Sequence, residues 1–380
     1  MSREPETNKK RTSGTKTSGK KTSGKKGSSK RAKKRKKAKM ITFAIEAVIL
    51  IVLLVVLYVL NRTELLSKVT YDDEVVQDSV NELTEETLEV MEEYTNIALF
   101  GLDTRQAGSL GKGNRSDTIM VASINNDTKD VKIVSIYRDS YLNLANDKYR
   151  KCNEAYSVGG PEQAVAMLNM NLDLKIDHYM SVDFLAVSEV VDLLGGIEID
   201  VDEYEIEHLN NYTVETSKVT GKKTQKLTKT GLQTLDGVQA TSYCRIRYTA
   251  GDDFKRTERQ REVLSAILEE AKKLDVAALT KIANNVFGNV YTSIDLDEII
   301  SLLSDLASYT LIDEGGFPAL DYRTTATLGK GVGDSVICTD LEEAVIDFHK
   351  RFFANEEYTP SATVKEISAT IHQNTDAYIR

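Results

Sequence analysis

Residues 40–60 read MITFAIEAVILIVLLVVLYVL, an unbroken apolar run with one charge, Glu46. At about 1.5 Å per residue, such a helix crosses a hydrocarbon core of about 30 Å. The run is too long for the apolar region of a signal peptide and lacks a small-x-small cleavage site. It is therefore predicted to be a retained transmembrane anchor. Glu46 lies near the basic side, where it reaches the interface or is protonated. Residues 1–40 hold 17 Lys/Arg against 2 Asp/Glu, whereas the rest of the chain holds 32 against 56. Positive charge stays inside, so the expected localisation is a single-pass cell-membrane protein. Its N-terminus faces the cytoplasm, and everything after Leu60 is extracytoplasmic.

The flanks divide the rest. Residues 1–39 are rich in Lys, Ser, Gly and Thr, with Thr-Ser-Gly at 12–14, 17–19 and 22–24. Such a tail has nothing to bury and is expected to be disordered. Its basic run at 30–37 abuts the apolar segment. That placement favours topology and contact with anionic membrane lipids over nucleic acid. Residues 61–94 are acidic and helix-compatible, and are read as a stalk. Residues 95–350 then form the main domain, and 351–380 a C-terminal tail. Cys152, Cys244 and Cys338 are odd in number and widely spaced, with no CxxC or HExxH pattern, so no structural disulfide or zinc site is expected.

Within the domain, Asn96-Ile-Ala-Leu-Phe-Gly reads as a buried strand. Thr118-Ile-Met-Val-Ala-Ser-Ile and Val131-Lys-Ile-Val-Ser-Ile flank the turn signal Asn125-Asn-Asp-Thr-Lys-Asp and predict a hairpin. Helices are predicted over 161–172, with Pro161 in the first turn, and over 183–194, ended by Gly195-Gly196. Ile197-Glu-Ile-Asp-Val alternates as a strand. Residues 203–230 are polar and read as a long loop. Further helices are predicted near 232–242, 256–273, 275–287 and 295–307. The fold class expected is α/β, an α+β sandwich with a central mixed sheet flanked by helices.

Chemistry concentrates in two stretches. One holds Arg115-Ser-Asp117-Thr and Tyr137-Arg138-Asp139. The other holds Arg245-Ile-Arg247 and Asp252-Asp253-Phe-Lys-Arg256-Thr-Glu-Arg259-Gln260. Guanidinium forks suit phosphate oxygens, and aspartate oxygens suit a hard divalent cation. A site made of both handles a pyrophosphate held by Mg²⁺. Arg245 and Arg247 share a face if their backbone is extended. Arg256 and Gln260 share one on a helix.

These motifs, with Asn96-Ile-Ala-Leu-Phe-Gly-Leu-Asp103-Thr-Arg105 before them and Leu193-Leu-Gly-Gly-Ile between, resemble the LytR-CpsA-Psr family in content and order. The resemblance covers roughly 95–270. It implies a Mg²⁺-dependent phosphotransferase outside the membrane of a Gram-positive bacterium. Such an enzyme moves a glycopolymer, wall teichoic acid or capsular polysaccharide, from an undecaprenyl-pyrophosphate carrier to peptidoglycan through a phosphodiester. Asp103 and Asp117 would hold one Mg²⁺. Arg105, Arg115, Arg138, Arg245, Arg247, Arg256, Gln260 and Lys151 would bind the pyrophosphate, with Arg138, Arg245, Arg247 and Asp253 closest to the chemistry. Asp139 and Asn153 would support them, Asp139 by orienting Arg138.

Plainer readings stand beside these. Neighbouring Arg and Asp usually form structural ion pairs worth little. Gly108 to Gly113 lacks the spacing of a phosphate loop and reads as a flexible connection. His178 reads as a packed histidine rather than a base. The family's usual residue before Arg-Asp is Pro, and here it is Tyr137, which restores an N–H donor. The polyprenyl chain needs an apolar pocket between sheet and helices. Stretches 182–194 and 263–274 suit its lining, as they also suit ordinary core packing. Two other functions compete: a membrane-bound transcriptional attenuator and a non-catalytic envelope-binding module. No helix-turn-helix is visible, and the charge asymmetry puts the acidic domain outside.

Overall fold

Described in a computed structural model are residues 76–104, 110–247, 252–286, 289–329 and 331–379. The basic tail, the apolar run 40–60, the first part of the expected stalk and Arg105 lie outside the described residues. Among the described residues no helix is long and apolar enough to cross a membrane.

Helix α1 (Glu85–Glu92) leads into β1 (Tyr94–Leu102), and β2 (Ser116–Asn125) and β3 (Asp130–Ile136) form the expected hairpin. Asn125 holds its turn by accepting from the amides of Asp127 and Thr128. A short ribbon, β4 (Tyr141–Asn143) and β5 (Tyr149–Lys151), precedes α2 (Glu154–Leu172). Gly160, at φ 81°, kinks α2 just before Pro161, and the helix starts at Glu154, about two turns earlier than the proline suggests.

Then come β6 (His178–Val182), α3 (Phe184–Leu194), β7 (Ile197–Val201), α4 (Glu203–Thr220), β8 (Gly231–Leu235), α5 (Gly237–Tyr243), α6 (Asp252–Ala271) and α7 (Val276–Val286). The chain continues through β9 (Val290–Thr292), α8 (Leu296–Ser304), β10 (Thr310–Phe317), β11 (Arg323–Leu328), β12 (Gly333–Cys338), α9 (Leu341–Phe353) and α10 (Ala362–Thr375).

Six strands form one mixed sheet in the order β10-β3-β2-β1-β6-β9. Strand alternation divides the core. Ala98, Phe100 and Leu102 of β1 face the cluster built with α2, α9 and α10. Ile97 and Leu99 face the other side, toward α6 and α8. A third cluster joins α3, α4, α5 and the β7–β8 ribbon. The mixed sheet flanked by helices is the architecture the sequence predicts.

Four expectations need correction. Residues 203–220 form a helix, not a loop. Asp202 and Glu205 make a capping box, and the buried face is Glu205, Leu209, Thr213 and Thr216. Polar residues at three of those four positions hide the helical period. The predicted helix 232–242 is instead strand β8 followed by α5, divided by the N-cap Asp236. The described part of the stalk is no spacer. Val76 and Met91 are buried in the core, and Asn81 donates to the Met170 carbonyl and the Asp173 carboxylate. The C-terminal tail is likewise part of the domain: Val364, Ile367 and Ile371 of α10 are buried among the helices of the first cluster.

Candidate active site

β1 and β2 pair residue for residue down to Gly101↔Thr118, and then Leu102 pairs with Ser116. Asp117 is thus the extra residue of a bulge, a device that re-aims a side chain. Its Oδ1 accepts from Arg138 Nη1 at 2.8 Å, and its Oδ2 from Arg247 Nη2 at 3.2 Å. Its backbone carbonyl accepts from Arg256 Nη2 at 3.2 Å. Asp253, in the first turn of α6, meets the same three guanidiniums. Arg256 lies at 3.0 Å, Arg138 at 3.4 Å and Arg247 at 4.0 Å. Two carboxylates and three arginines from four places in the chain form one cluster.

Arg138 leaves the end of β3 with little exposure. Burial alone would lower its pKa, but Asp117, Asp253 and Asp139 together outweigh it and hold the guanidinium above its ordinary value. Arg256 is 2% exposed, and burial pushes its pKa down to about 10, against the pull of Asp253. It still carries its proton at neutral pH. Nε of Arg138 lies in ion-pair range of Asp253 at 3.4 Å and Asp139 at 3.5 Å, whereas Nε of Arg256 and Oε1 of Gln260 are buried without a hydrogen-bond partner among the described residues. Buried polar atoms are seldom left this way, so the cluster retains capacity for a ligand.

Arg245 stands apart from the carboxylate cluster. It donates to Thr216 Oγ1 at 3.0 Å and Glu215 Oε2 at 2.9 Å, both on α4, and lies 4.4 Å from the centre of the Phe184 ring. Asp139 pairs with Lys151 at 3.1 Å and approaches Arg138 at 3.5 Å. The Asn153 amide donates to the Arg138 carbonyl at 3.1 Å. Lys151 and Asn153 therefore brace the Arg138-Asp139 corner and do not line the cavity described next. Arg115 is exposed just before β2 and does not line it either.

That cavity has a volume of about 440 Å³. It lies between the sheet face carrying Leu99, Met120 and Met180 and the helices α3 and α6. Val187 and Val190 of α3 and Val263 and Ile267 of α6 line it, within the two stretches the sequence marked. At its polar end stand Asp103, Asp117, Arg245, Arg247, Arg256 and Gln260. Its form is an apolar slot that ends in guanidinium and carboxylate groups.

Among the described residues no cluster of three or more His, Cys, Asp or Glu is placed to hold a metal. Asp103 directly follows β1 at the bulge in which Asp117 is the extra residue, and both line the cavity. Two hard oxygen donors, with phosphate oxygens or water completing the shell, fit Mg²⁺, which seldom uses an all-protein cage. Cys244 lines the cavity, but burial pushes its thiol up to about 12.

The sequence reading quoted Arg259 and singled out Tyr137 for its restored N–H donor, but gave neither side chain a partner. Arg259 is fully buried, pairs with Glu205 at 2.7 Å and donates to the carbonyl of Ile246 at 3.2 Å. It fixes the residue between Arg245 and Arg247. The only signal was its place one turn after Arg256, on a face that otherwise reads as polar. Tyr137 donates its amide to the Phe317 carbonyl at 3.1 Å, using the N–H that a proline would lack. Its ring packs edge-on against Phe254, and its hydroxyl accepts from Arg323 at 2.7 Å. Arg323 also covers the Phe254 ring at 4.2 Å. This trio ties the start of α6, and so Asp253, to the end of β3.

The family model described as the LytR_cpsA_psr family matches residues 57–318. Over 216 residues the chain is 31% identical to the polyisoprenyl-teichoic acid–peptidoglycan teichoic acid transferase TagU of Enterococcus faecalis, covering 56% of this chain and 66% of that protein. It is 29% identical over 231 residues to the transferase of the same description, TagT, of Bacillus subtilis, covering 60% and 69%. Among solved structures, "TagT bound to LIIa-WTA" superposes with a TM-score of 0.54 at 22% identity, over 76% of this chain and 92% of that one. That likeness is one of fold.

Proposed function

We propose that this chain, which belongs to the LytR_cpsA_psr family, is a membrane-anchored extracytoplasmic phosphotransferase. It moves a glycopolymer from a polyprenyl-pyrophosphate carrier to peptidoglycan through a phosphodiester. The observation that carries this reading is the apolar slot ending in Arg245, Arg247, Arg256 and Asp117. A lipid pyrophosphate has the same two-part character, a hydrocarbon chain and a compact polyanion. The transferase names of the TagU and TagT relatives point the same way.

In this scheme a peptidoglycan hydroxyl attacks the phosphorus that bears the sugar. The P–O bond to the second phosphate breaks, the hydroxyl proton passes to solvent or a nearby base, and polyprenyl phosphate leaves. Charge grows on the bridging and equatorial oxygens, where preorganised cations act most strongly. Arg247 and Arg138 reach those oxygens by exchanging part of their contact with Asp117. Arg256 is too buried to move and holds the Asp117 backbone and Asp253 in place. Arg245, pinned by Glu215 and Thr216, meets the phosphates from the opposite wall. Mg²⁺ on Asp103 and Asp117 would supply further charge stabilisation. The high thiol pKa of Cys244 favours direct displacement over a covalent enzyme intermediate.

The test is transfer of a polyprenyl-pyrophosphate-linked saccharide to peptidoglycan oligomers by the full chain in detergent. Arg138→Lys, Arg245→Lys and Arg247→Lys keep charge but lose the two-pronged geometry, so each should cut turnover with little change in melting temperature. Near wild-type transfer by all three would leave the arginines as ion-pair scaffolding. Absence of transfer by the parent chain would remove the function itself. Protease shaving of wall-stripped cells should digest residues after Leu60. Protection of the domain would refute the orientation.

A further inference from the structure

Between the end of α4 and β8 the charge balance of the domain inverts. Residues 216–235 carry Lys218, Lys222, Lys223, Lys226 and Lys229 and no Asp or Glu, in a chain whose residues after 40 hold 32 basic against 56 acidic side chains. The segment is the end of α4 and the connection to β8. That connection is exposed but held. Asn210 both donates to the Leu227 carbonyl and accepts from the Leu227 amide, at 2.9 Å each. Gln239 donates to the Gln225 carbonyl at 2.9 Å, and Thr224 bonds the N-cap Asp236. A fixed loop presents its lysines at fixed positions, which free chain would not.

Lys222 is paired with Asp192 at 2.7 Å. Lys218, Lys223, Lys226 and Lys229 are exposed and have no carboxylate within 4 Å among the described residues. Elsewhere on the surface the lysines of α6 and its end are neutralised, as in Lys255–Glu258, Lys272–Glu269 and Lys273–Glu270. The loop is therefore a patch of unspent positive charge, and its repulsion persists unless an anion answers it. Its anchors belong to the site. α4 supplies Glu215 and Thr216 to Arg245, and α5 carries both Gln239 and the cavity-lining Thr241.

We propose that Lys218, Lys223, Lys226 and Lys229 form a guiding surface for a polyanionic chain, the phosphate- or carboxylate-bearing polymer borne by the lipid pyrophosphate. This rests on the function proposed above and narrows it to a substrate with repeating negative charge. A polymer fits better than a single phosphate, because the four lysines are spread over 12 residues of chain, from the last turn of α4 to just before β8. It also fits better than a membrane surface, because the segment offers a lipid bilayer little apolar area. Leu232 is the one strongly exposed aliphatic residue on it.

The test is lysine footprinting of the full chain by amine acylation, read peptide by peptide so that the basic N-terminal tail does not interfere. Long-chain polyphosphate should lower acylation of the four lysines several-fold, and inorganic pyrophosphate or phosphatidylglycerol vesicles should not. Protection by vesicles but not by polyphosphate would reassign the patch to the membrane. Protection by neither would leave it a solvated face, and equal protection by pyrophosphate would make it a simple anion site. All three overturn the proposal. Changing all four to Gln should weaken polyphosphate binding at the loop by on the order of tenfold, more at low salt than at high. The same variant should transfer a single-repeat substrate at the parent rate and lose the advantage of long polymers. If the parent transfers nothing yet its loop is protected, the transferase reading fails while the polyanion surface stands.

Discussion

Arg259→Met removes one partner of an ion pair that water does not reach. Arg259 is 0% and Glu205 2% exposed, and Nε–Oε1 is 2.7 Å. Stranding one charge of such a pair costs roughly 3–5 kcal/mol, because the remaining carboxylate must either stay charged in the interior or take up a proton. The Ile246 carbonyl also loses a donor. Taking about 4 kcal/mol and a shift of roughly 2–4 °C per kcal/mol for a domain of this size, the melting temperature should fall by about 8–16 °C. Glu205→Gln in the same chain keeps the side-chain acceptor for the Asp202 amide and removes the stranded charge. The double variant should recover at least half of the loss. Urea unfolding followed through the tyrosines gives both values, and m should not change. A single-variant cost under about 1 kcal/mol, or a double variant no better than the single, would refute the reasoning. Even the rescued protein should bind pyrophosphate more weakly than the parent, since Ile246 is no longer held between Arg245 and Arg247.

Asp117→Asn and Asp103→Asn should abolish transfer with little loss of stability. Asp117 is about a fifth exposed, so its ion pairs contribute on the order of 1 kcal/mol; activity of the parent in excess EDTA would rule out the metal role. Tyr137→Phe should cost about 1 kcal/mol through loss of the Arg323 hydrogen bond. Arg323→Met should cost more, and turnover should fall as Asp253 loosens; wild-type turnover in both would mean that the trio serves stability alone. His349 is buried, stacks on Tyr358 at 3.7 Å and is bonded to the Leu172 carbonyl, and burial pushes its pKa down to about 4. Its contribution is complete above the unfolded value near 6.5 and is lost as pH falls toward 4, by up to about 3 kcal/mol. His349→Gln should flatten the stability profile between pH 4 and 6.5, and an unchanged slope would place the acid sensitivity elsewhere.

What could be read from the sequence depended on whether a signal was local. The hairpin of β2 and β3 was legible because its turn residues and alternation lie within one short stretch. Helix α3 was legible because Asp183 caps it and Gly195 ends it in the left-handed region. Helix α4 was not, because Glu205, Thr213 and Thr216 are buried through contacts made far away in sequence. Glu205 is paired by Arg259, and Thr216 is held by Arg245 and Ser242. Helix α10 was missed for the same kind of reason: its partners α2 and α9, distant in sequence or beyond the motifs, give it a core.

The site divides along the same line. Arg138, Arg247, Arg256 and Asp253 converge on or beside Asp117, and motif reading had gathered them. Motif reading could not separate Arg245 from Arg247. Spacing by two residues puts both on one face only for an extended backbone, and here a turn at Cys244 and Arg245 sends the first to α4 and the second to Asp117. That separation gives the polar end of the cavity two walls instead of one. A phosphate bound as proposed would lie between guanidinium groups on two sides. Each wall already carries its own carboxylate, Glu215 on one and Asp117 on the other. The arginines are therefore oriented and charge-balanced before any ligand arrives. The cost of ordering them is met on folding rather than on binding.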